Sequence, residues 1–167
     1  MLKVGLLCGQ KTVDLELPDS TIRLEMKTLE ALQDPTQAIL HALAHPIQSP
    51  PLKDLATGKK NACIVISDVT RPVPNRVLLP PILQTLHQAG MKKEQIKVLI
   101  ATGMHRPNLG QELEGMIGRD LAEQYPVVNH YCRKPESYRK IDEIDGAPIE
   151  INTHYLDADL KILTGLI

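Results

Sequence analysis

The chain has 167 residues and a formal net charge of -1, with 43% hydrophobic and 23% charged residues. This composition is typical of a globular domain with a sizeable core, which must be built without Phe or Trp because the chain has neither. The near-neutral charge and the few aromatic side chains argue against a nucleic-acid partner. No apolar stretch approaches the length of a membrane span, so no membrane partner is expected. Three widely spaced cysteines, at positions 8, 63 and 132, favour free thiols and predict a cytoplasmic protein.

The first third of the chain combines short strand patterns with two helix patterns. Apolar residues alternate with polar ones in the strand patterns, and prolines open both helix patterns. The predicted elements are a β-hairpin of 2–8 and 12–17, a third strand at 21–26, a helix from Asp34-Pro35 to Pro46, and a short helix from Ser49-Pro50-Pro51 to Gly58. We expect one α/β domain over 1–167, with 1–30 as a hairpin and strand appendage.

From residue 62 onward, apolar strand patterns alternate with amphipathic helix patterns. The predicted strands are 62–67, 95–101, 126–129 and 160–167, the predicted helices are 76–89, 111–117 and 119–124, and a hairpin is predicted from 140–144 and 149–152 around Asp145-Gly146. This alternation predicts an α/β fold with a mostly parallel sheet flanked by helices. The last strand ends the sequence, and two interpretations are open: an edge strand that finishes the domain, or a piece of a longer protein. If this strand is exposed, it is expected to pair with its copy in a second molecule.

Two polar loops follow successive strands of the predicted sheet. One begins at Asp68 and the other contains His105. Because parallel strands end at the same edge of a sheet, the loops are expected to converge there, with Asp68 and Arg71 facing solvent or a ligand. Arg71 would bind an anion, Asp68 would orient a group or accept a proton, and His105 would transfer protons.

The surroundings of these loops add to that interpretation. Asn75 is predicted to cap the following helix, whose start offers amide donors and the positive end of a dipole to a carboxylate or phosphate. Gly103 allows a sharp turn before His105. The alternative is purely structural: Asp68 caps a turn and pairs with Arg71, and His105 is a surface residue.

Other polar pairs are weaker candidates. They could act as metal ligands by residue type, but each lacks enough neighbouring ligands or the spacing of a known site, and each has a simpler structural interpretation. These candidates are His41 with His45, His130 with Cys132, the turn Asp142, Glu143 and Asp145, and the corner Asp157 and Asp159. We therefore predict no metal ligand in this chain.

Five segments in register resemble the nickel-dependent lactate racemase family, and the likeness runs from about residue 31 to the end. The segments are Asp68-Val69-Thr70-Arg71-Pro72, Thr102-Gly103-Met104-His105-Arg106, Val127-Val128-Asn129-His130, Gly146-Ala147-Pro148-Ile149-Glu150-Ile151-Asn152 and Ala158-Asp159-Leu160-Lys161-Ile162-Leu163-Thr164-Gly165. The resemblance implies the N-terminal portion of a two-domain α/β enzyme with its active site between the domains.

The resemblance also implies a chemistry. The family uses a nickel pincer nucleotide to take a hydride from the carbon that bears the 2-hydroxyl and to return it to either face, while two histidines move the hydroxyl proton. By motif position, His105 would be one of these histidines and Arg71 would hold the substrate carboxylate. Asp68 and Thr70 would lie beside the cofactor.

Part of the family pattern has no counterpart in this sequence. The Glu-Pro-His segment with the second histidine, the lysine that carries the cofactor and the histidine that ligates nickel are all expected after the last strand. We therefore expect the missing C-terminal part to act as partner, no cofactor to be bound to this piece alone, and the piece alone to be inactive as an isomerase. The parent could act on another 2-hydroxy acid or a sugar acid. The competing hypothesis is a non-catalytic domain that binds a small anion or an assembly partner.

Overall fold

A computed structural model describes residues 1–9, 11–24, 26–27 and 29–166. The chain divides into two compact units, Met1–Ala31 and Leu32–Ile167. In the first unit, β1 (Leu2–Cys8) and β2 (Lys11–Leu17) pair antiparallel, with Leu2 opposite Leu17 and Cys8 opposite Lys11. The predicted hairpin is thus confirmed, although its turn residue Gln10 lies outside the described residues.

The predicted third strand in this unit is wrong for the residues that can be judged. Residues 21–24 and 26 belong to no strand, and Glu25 lies outside the described residues. Ile22, Leu24 and Met26 are 84%, 92% and 95% exposed. This strand was predicted from the alternation of apolar and polar residues alone. The three apolar side chains remain exposed in the described part of the chain, so burial does not stabilise a strand here.

The second unit is built on a four-stranded parallel sheet in the order β5-β4-β3-β8. Its strands are β3 (Ala62–Ser67), β4 (Ile96–Ala101), β5 (Val127–Asn129) and β8 (Leu160–Leu163). Between β5 and β8 the chain forms the antiparallel hairpin of β6 (Tyr138–Ile144) and β7 (Ala147–Asn152). The prediction of a mostly parallel sheet with an N-terminal hairpin is confirmed.

Six helices accompany these strands. Their bounds are α1 (Pro35–Ala44), α2 (Leu52–Ala56), α3 (Asn75–Gln88), α4 (Gly110–Ile117), α5 (Arg119–Gln124) and α6 (Thr153–Leu156). Asp34 caps α1 as predicted, since its Oδ1 accepts a hydrogen bond from the Gln37 amide at 3.0 Å. Among the described residues, the structure shows no helix that is both long enough and apolar enough to cross a membrane.

The main core lies on one face of the parallel sheet. Ile64, Ile66 and Ile100 from the central strands are fully buried there, together with Leu79 and Leu86 of α3. The opposite face carries a smaller buried cluster of Cys63, Leu99 and Ala158. Because the central strands are covered by packed side chains, their carboxyl ends are fixed positions from which the following loops project.

The last strand is shorter than predicted. β8 ends at Leu163 rather than continuing to the end of the chain, and Leu163 is 68% exposed. The Thr164 amide still donates to the Val65 carbonyl at 3.0 Å, so the alignment beside β3 continues one residue further. Residues 164–166 form no strand, and Ile167 lies outside the described residues.

Candidate active site at the carboxyl edge of the sheet

The two predicted loops converge because β3 and β4 are neighbours. Their parallel register ends with Ser67 beside Ala101, so the Asp68 loop and the loop after Ala101 leave the sheet side by side. Asp68 Oδ2 lies 2.6 Å from His105 Nδ1. The sheet therefore joins two residues that are 37 positions apart in sequence, as the strand order predicted.

Asp68 is held by its own loop as well as by His105. Its Oδ1 accepts hydrogen bonds from the Thr70 hydroxyl at 2.7 Å and from the Thr70 amide at 3.3 Å. Asp68 was predicted to face solvent or a ligand; it is only 5% exposed, so it does not face open solvent, and it lines a cavity instead. The carboxylate points inward, where it accepts three hydrogen bonds, from the amide and hydroxyl of Thr70 and from the His105 ring. The structural alternative was correct that Asp68 closes a turn, but its partner is His105 and not Arg71.

The environment of Asp68 favours its charged form. Burial by itself raises the pKa of a carboxyl group. The hydrogen bonds from the Thr70 and His105 side chains, together with the charge of His105, outweigh burial and lower the pKa of Asp68 below its ordinary value. A carboxylate can only accept, so His105 Nδ1 carries the hydrogen in this contact. The other ring nitrogen, Nε2, is then the atom of His105 that can accept a proton.

The His105 loop is shaped to expose the ring. The His105 amide donates to the Thr102 carbonyl at 2.9 Å, and Gly103 within this turn has φ of +56°, a conformation that favours glycine. The His105 side chain is 56% exposed. Asp68 thus fixes one side of the imidazole, while solvent or a ligand can reach the other.

Arg71 extends from the same loop and is exposed, as predicted. Its amide donates to the Asp68 carbonyl at 3.1 Å, which closes the turn. Its guanidinium has one long contact, from Nη1 to the Thr70 hydroxyl at 3.5 Å, and no carboxylate partner among the residues that the structure describes. This side chain is therefore available for an anionic ligand.

A buried asparagine that the sequence analysis missed ties the loops together. Asn108 is 1% exposed, and its amide donates to Asn129 Oδ1 at 2.8 Å while its carbonyl accepts from Asn129 Nδ2 at 3.1 Å. Its side-chain Oδ1 accepts from the Val69 amide at 3.4 Å, and its Nδ2 donates to Glu112 at 2.5 Å. Asn108 thus connects the ends of three strands with α4. The sequence signal for this arrangement was weak: Asn129 ends a predicted strand, and Asn108 ends the loop before a predicted helix.

Glu112 completes the support of the His105 loop. Arg106 donates to both Glu112 oxygens at 2.7 Å in a bidentate pair. The hydrogen bonds from Arg106 and then Asn108 lower the pKa of Glu112 to about 2. Glu112 therefore remains charged at neutral pH, and its charge is matched by Arg106.

The start of α3 differs from the sequence prediction. Asn75 is the first helical residue, and Pro74 occupies the capping position without a side-chain hydrogen bond. Because Asn75 is already inside the helix, its side chain does not cap the first turn. It is 3% exposed, and its Oδ1 has no hydrogen-bond partner among the described residues. It lines a cavity of about 520 Å³ with Asp68, Arg71 and Arg76 on the polar side.

The weaker metal candidates have other contacts. His45 Nδ1 bonds the His41 carbonyl at 3.1 Å, and His130 Nδ1 lies 3.1 Å from Asn152 Nδ2. Asp157 pairs with Arg139 at 3.0 Å. Within the part of the chain that the structure describes, no three His, Cys, Asp or Glu side chains are grouped so as to hold a metal ion.

The similarity to known proteins begins earlier than the sequence motifs indicated, at residue 8 rather than at about residue 31. The model of the lactate racemase N-terminal domain family matches residues 8–167. The chain is 35% identical to the lactate racemase of Thermoanaerobacterium thermosaccharolyticum and 30% identical to that of Lactiplantibacillus plantarum. Both alignments cover 100% of this chain and 40% of the relative's length. The structure of the T. thermosaccharolyticum lactate racemase apoprotein superposes with a TM-score of 0.77 at 35% identity, over 97% of this chain and 38% of that one.

Proposed function

Since the chain belongs to the lactate racemase family and matches its N-terminal domain, we propose that it forms the substrate-binding and proton-transferring portion of a 2-hydroxy acid racemase or epimerase. The observation that carries this proposal is the 2.6 Å contact between Asp68 and His105 beside the exposed Arg71, which has no carboxylate partner among the described residues. The chain spans 40% of the length of the curated relatives it matches. The proposal therefore assigns the complete reaction to this portion together with the remainder found in the relatives.

Each of the three side chains has a role in the proposal. The guanidinium of Arg71 pairs with the substrate carboxylate, for which its planar fork of donors is suited. His105 Nε2 accepts the proton of the 2-hydroxyl and later returns it. Asp68 fixes the tautomer that leaves Nε2 free and stabilises the imidazolium that forms. Asp68 is a positioning residue in this scheme, because both oxygens of its carboxylate already accept hydrogen bonds from Thr70 and His105.

The proposed cofactor is a nickel pincer nucleotide, which when bound accepts and returns the hydride of the substrate carbon. We place the nickel ligand in the remainder of the enzyme, since no three His, Cys, Asp or Glu side chains are grouped among the described residues. Thr70 is the closer candidate for a cofactor contact, since its hydroxyl already donates to Asp68 and can still accept a hydrogen bond. Asp68 has less capacity left because it accepts three hydrogen bonds.

A chimera tests the proposal directly. Replacing the matching segment of the T. thermosaccharolyticum lactate racemase with this chain should give an enzyme that interconverts the enantiomers of a 2-hydroxy acid. His105→Gln in the chimera should lower the rate by about 10²-fold or more, since general base catalysis contributes that much. His45→Gln is the matched control, because His45 is an exposed histidine that lies outside the proposed site. A folded chimera whose rate is unchanged by His105→Gln would contradict the proposal.

We also propose that the outer edge of β8 is an interface with further polypeptide, either the remainder of the enzyme or a second copy. Leu163 on this edge strand is 68% exposed, and unpaired strand edges favour association. Sizing the 167-residue protein over a range of concentrations tests the second copy, because a constant monomer would exclude it.

We also propose that the protein resides in a reducing compartment such as the cytoplasm, since Cys8, Cys63 and Cys132 are free thiols.

A further inference from the structure

The two faces of the parallel sheet are covered to different extents. One face holds the main core, with α3 residues such as Leu79 and Leu86. The other face, here termed the outer face, holds the small buried cluster that includes Cys63 and Leu99. A cavity of about 450 Å³ lies beside this cluster, and most of its lining is apolar, formed by Val65, Leu99, Ala101, Ile151, Tyr155 and Leu163.

Apolar side chains of the sheet are exposed in this cavity. Ala101 lies at the end of β4, an inner strand, and is exposed, whereas the preceding Ile100 on the core face is fully buried. Leu163 on β8 lines the same cavity and is 68% exposed. Parallel sheets are normally covered by packed elements on both faces. The described residues therefore cover the outer face only in part.

His130 lines the same cavity and carries a free hydrogen-bond donor. Asn152 Oδ1 accepts from the His154 amide at 2.9 Å, so the Asn152 group that lies 3.1 Å from His130 Nδ1 is the amide nitrogen Nδ2. This nitrogen only donates, so His130 Nδ1 accepts and Nε2 carries the hydrogen of the neutral ring. Nε2 has no hydrogen-bond partner among the described residues, although His130 is partly buried. An element that covers the cavity is therefore expected to present an acceptor to this N–H.

The strand order indicates which kind of element completes this covering. The connections from β3 to β4 and from β4 to β5 extend the sheet in one direction, and their helices α3 and α4 pack on the core face. The connection from β5 to β8 runs in the opposite direction, and its residues Tyr155 and Ala158 pack on the outer face. These crossovers therefore share one hand, as the rule for parallel strands requires. By the same rule, a helix that leads from β8 to a further parallel strand beside it crosses the outer face.

We propose that an amphipathic helix of the remainder of the enzyme, in the segment that follows β8 in the relatives, packs on the outer face and fills this cavity. The chain spans 40% of the length of those relatives and matches an N-terminal domain, so most of their remaining length lies beyond β8. The apolar side chains of this helix contact Ala101 and Leu163, and an oxygen acceptor on it faces His130 Nε2. Ala101 and Leu163 lie two strands apart, about 10 Å, which is the width of one helix. The identity of the occupant rests on the proposed function, which assigns the reaction to this portion together with that remainder.

Cysteine labelling tests the inference in two proteins, the 167-residue chain and its chimera with the T. thermosaccharolyticum enzyme. Ala101→Cys and Leu163→Cys are introduced one at a time, and maleimide modification is followed by mass spectrometry of the peptide that carries the new cysteine. Both positions should react at least about tenfold more slowly in the chimera, because reaction then requires the packed helix to open. Ile144→Cys, at a 61% exposed position of β6, is the control and should react at the same rate in both proteins. Where the chimera does not fold, the 167-residue chain co-expressed with the remainder of that enzyme serves for the same comparison.

Three results would overturn the inference. Unchanged rates at both positions would mean that nothing covers the outer face. Slower reaction at Leu163→Cys alone would place the contact at the β8 edge, since Ala101 lies on an inner strand. Slower reaction of both positions in the 167-residue chain as its own concentration rises would assign the face to a second copy.

A variant of His130 tests the acceptor on the helix. In the chimera, His130→Phe should raise the rate of modification at Ala101→Cys about fivefold, since one hydrogen bond contributes roughly that factor. His45→Phe, which changes an exposed histidine outside the outer face, is the matched control and should leave the rate unchanged. An unchanged rate in His130→Phe would overturn the placement of the acceptor.

Racemisation by the same chimera separates this inference from the proposed function. A chimera that racemises a 2-hydroxy acid but leaves both cysteines reactive would overturn the inference alone. A chimera that protects both cysteines, but whose rate is unaffected by His105→Gln, would contradict the proposed function alone.

Discussion

Two histidines near opposite ends of the parallel sheet differ in which imidazole nitrogen carries hydrogen, because different side chains contact their Nδ1 atoms. At the carboxyl edge, His105 Nδ1 meets the Asp68 carboxylate at 2.6 Å. Near the strand starts, His154 Nδ1 lies 2.9 Å from the Lys97 ammonium. A carboxylate only accepts and an ammonium only donates, so the two Nδ1 atoms must differ in protonation. His105 carries hydrogen on Nδ1 and leaves Nε2 free, whereas His154 leaves Nδ1 bare.

The comparison explains why only one of these histidines is suited to move a substrate proton. The negative Asp68 stabilises a positive His105 ring, as a proton-accepting histidine requires. Burial and then the charge of Lys97 lower the pKa of His154, and the nearby Asp157 only partly opposes them. His154 is therefore kept neutral by its surroundings, and its pocket is a structural junction between α6 and the start of β4.

The largest effect is expected from Asp68→Asn. The substitution removes the buried charge that accepts three hydrogen bonds, so the free energy of unfolding should fall by about 2–3 kcal/mol at neutral pH. Because the folded pKa of Asp68 is lowered, its contribution is present above the ordinary Asp pKa and is lost as pH falls through the folded value. Denaturant unfolding at several pH values measures this. The variant should therefore approach the parent protein in strongly acidic solution.

The control for this prediction is Asp120→Asn on exposed α5, which should change stability by no more than about 0.5 kcal/mol. If the difference between Asp68→Asn and the parent protein were independent of pH down to strong acid, the charged role of Asp68 would be wrong. The contrast with His154 would then lose its physical basis.

Asn108→Ala should have the next largest effect. It removes the contacts of the buried Asn108 side chain with the Val69 amide and with Glu112, so a loss of about 1–2 kcal/mol is expected. The same variant should shift the NMR signals of His105, because Asn108 links the loops that bring His105 to Asp68. The signals of His154, at the other end of the sheet, should stay in place. Equal shifts at both histidines would indicate general loosening of the fold instead.

Glu112→Gln tests how the charge of Glu112 supports the His105 loop. The variant should be less stable than the parent protein at neutral pH, and the difference should shrink as pH falls toward 2. The pKa of Glu112 is lowered to about 2 by Arg106 and Asn108, so its stabilising contribution is present above its unfolded value and is lost as pH falls toward 2. Carboxyl-carbon NMR should show Glu112 titrating near pH 2 in the parent protein. A Glu112 midpoint in the usual range for glutamate would contradict the bidentate pair with Arg106.

The smallest effect is expected from Lys97→Met. Removing the ammonium should raise the pKa of His154 part of the way toward its ordinary value, since burial remains. A histidine whose folded pKa is lowered reduces stability as pH falls through its unfolded value, and the variant should weaken that dependence. Proton NMR of the His154 ring measures the midpoint, and the ring signals of His105 at fixed neutral pH should stay in place. A lower midpoint for His154 in the variant would contradict the assigned contact.

The sequence predicted which two loops meet at the sheet edge better than it predicted the contacts of their side chains. Apolar runs of β3 and β4 followed by polar loops were sufficient to place Asp68 and His105 at one sheet edge, because neighbouring parallel strands end together. The burial of Asp68 was not predictable, since it depends on Thr70 and His105 donating to the same carboxylate. Asn108 was missed for the same reason, because its importance comes from contacts with distant loops. Asn75 was mistaken for a cap because residue preference does not fix where a helix begins.

The fold also contains elements that the sequence predicted correctly and one that it predicted wrongly. Periodicity identified every strand of the parallel sheet, whose apolar residues are buried by the helices that pack on it. The same period-two signal failed at 21–26, where Ile22 and Leu24 remain exposed. The β1–β2 hairpin was predicted correctly although most of its residues are exposed, because its two strands pair with each other. Alternation therefore predicted a strand correctly where a partner strand was available, and residues 21–24 and 26 have no such partner among the described residues.

The most direct test of the central claim is ¹⁵N NMR of the histidine rings of the 167-residue protein near neutral pH. The claim is that Asp68 holds His105 with hydrogen on Nδ1 and with Nε2 free to accept a proton. The predicted spectrum shows a protonated Nδ1 and an unprotonated Nε2 for neutral His105, the reverse for His154, and loss of the His105 preference in Asp68→Asn. A neutral His105 with hydrogen on Nε2, unchanged by Asp68→Asn, would contradict the account.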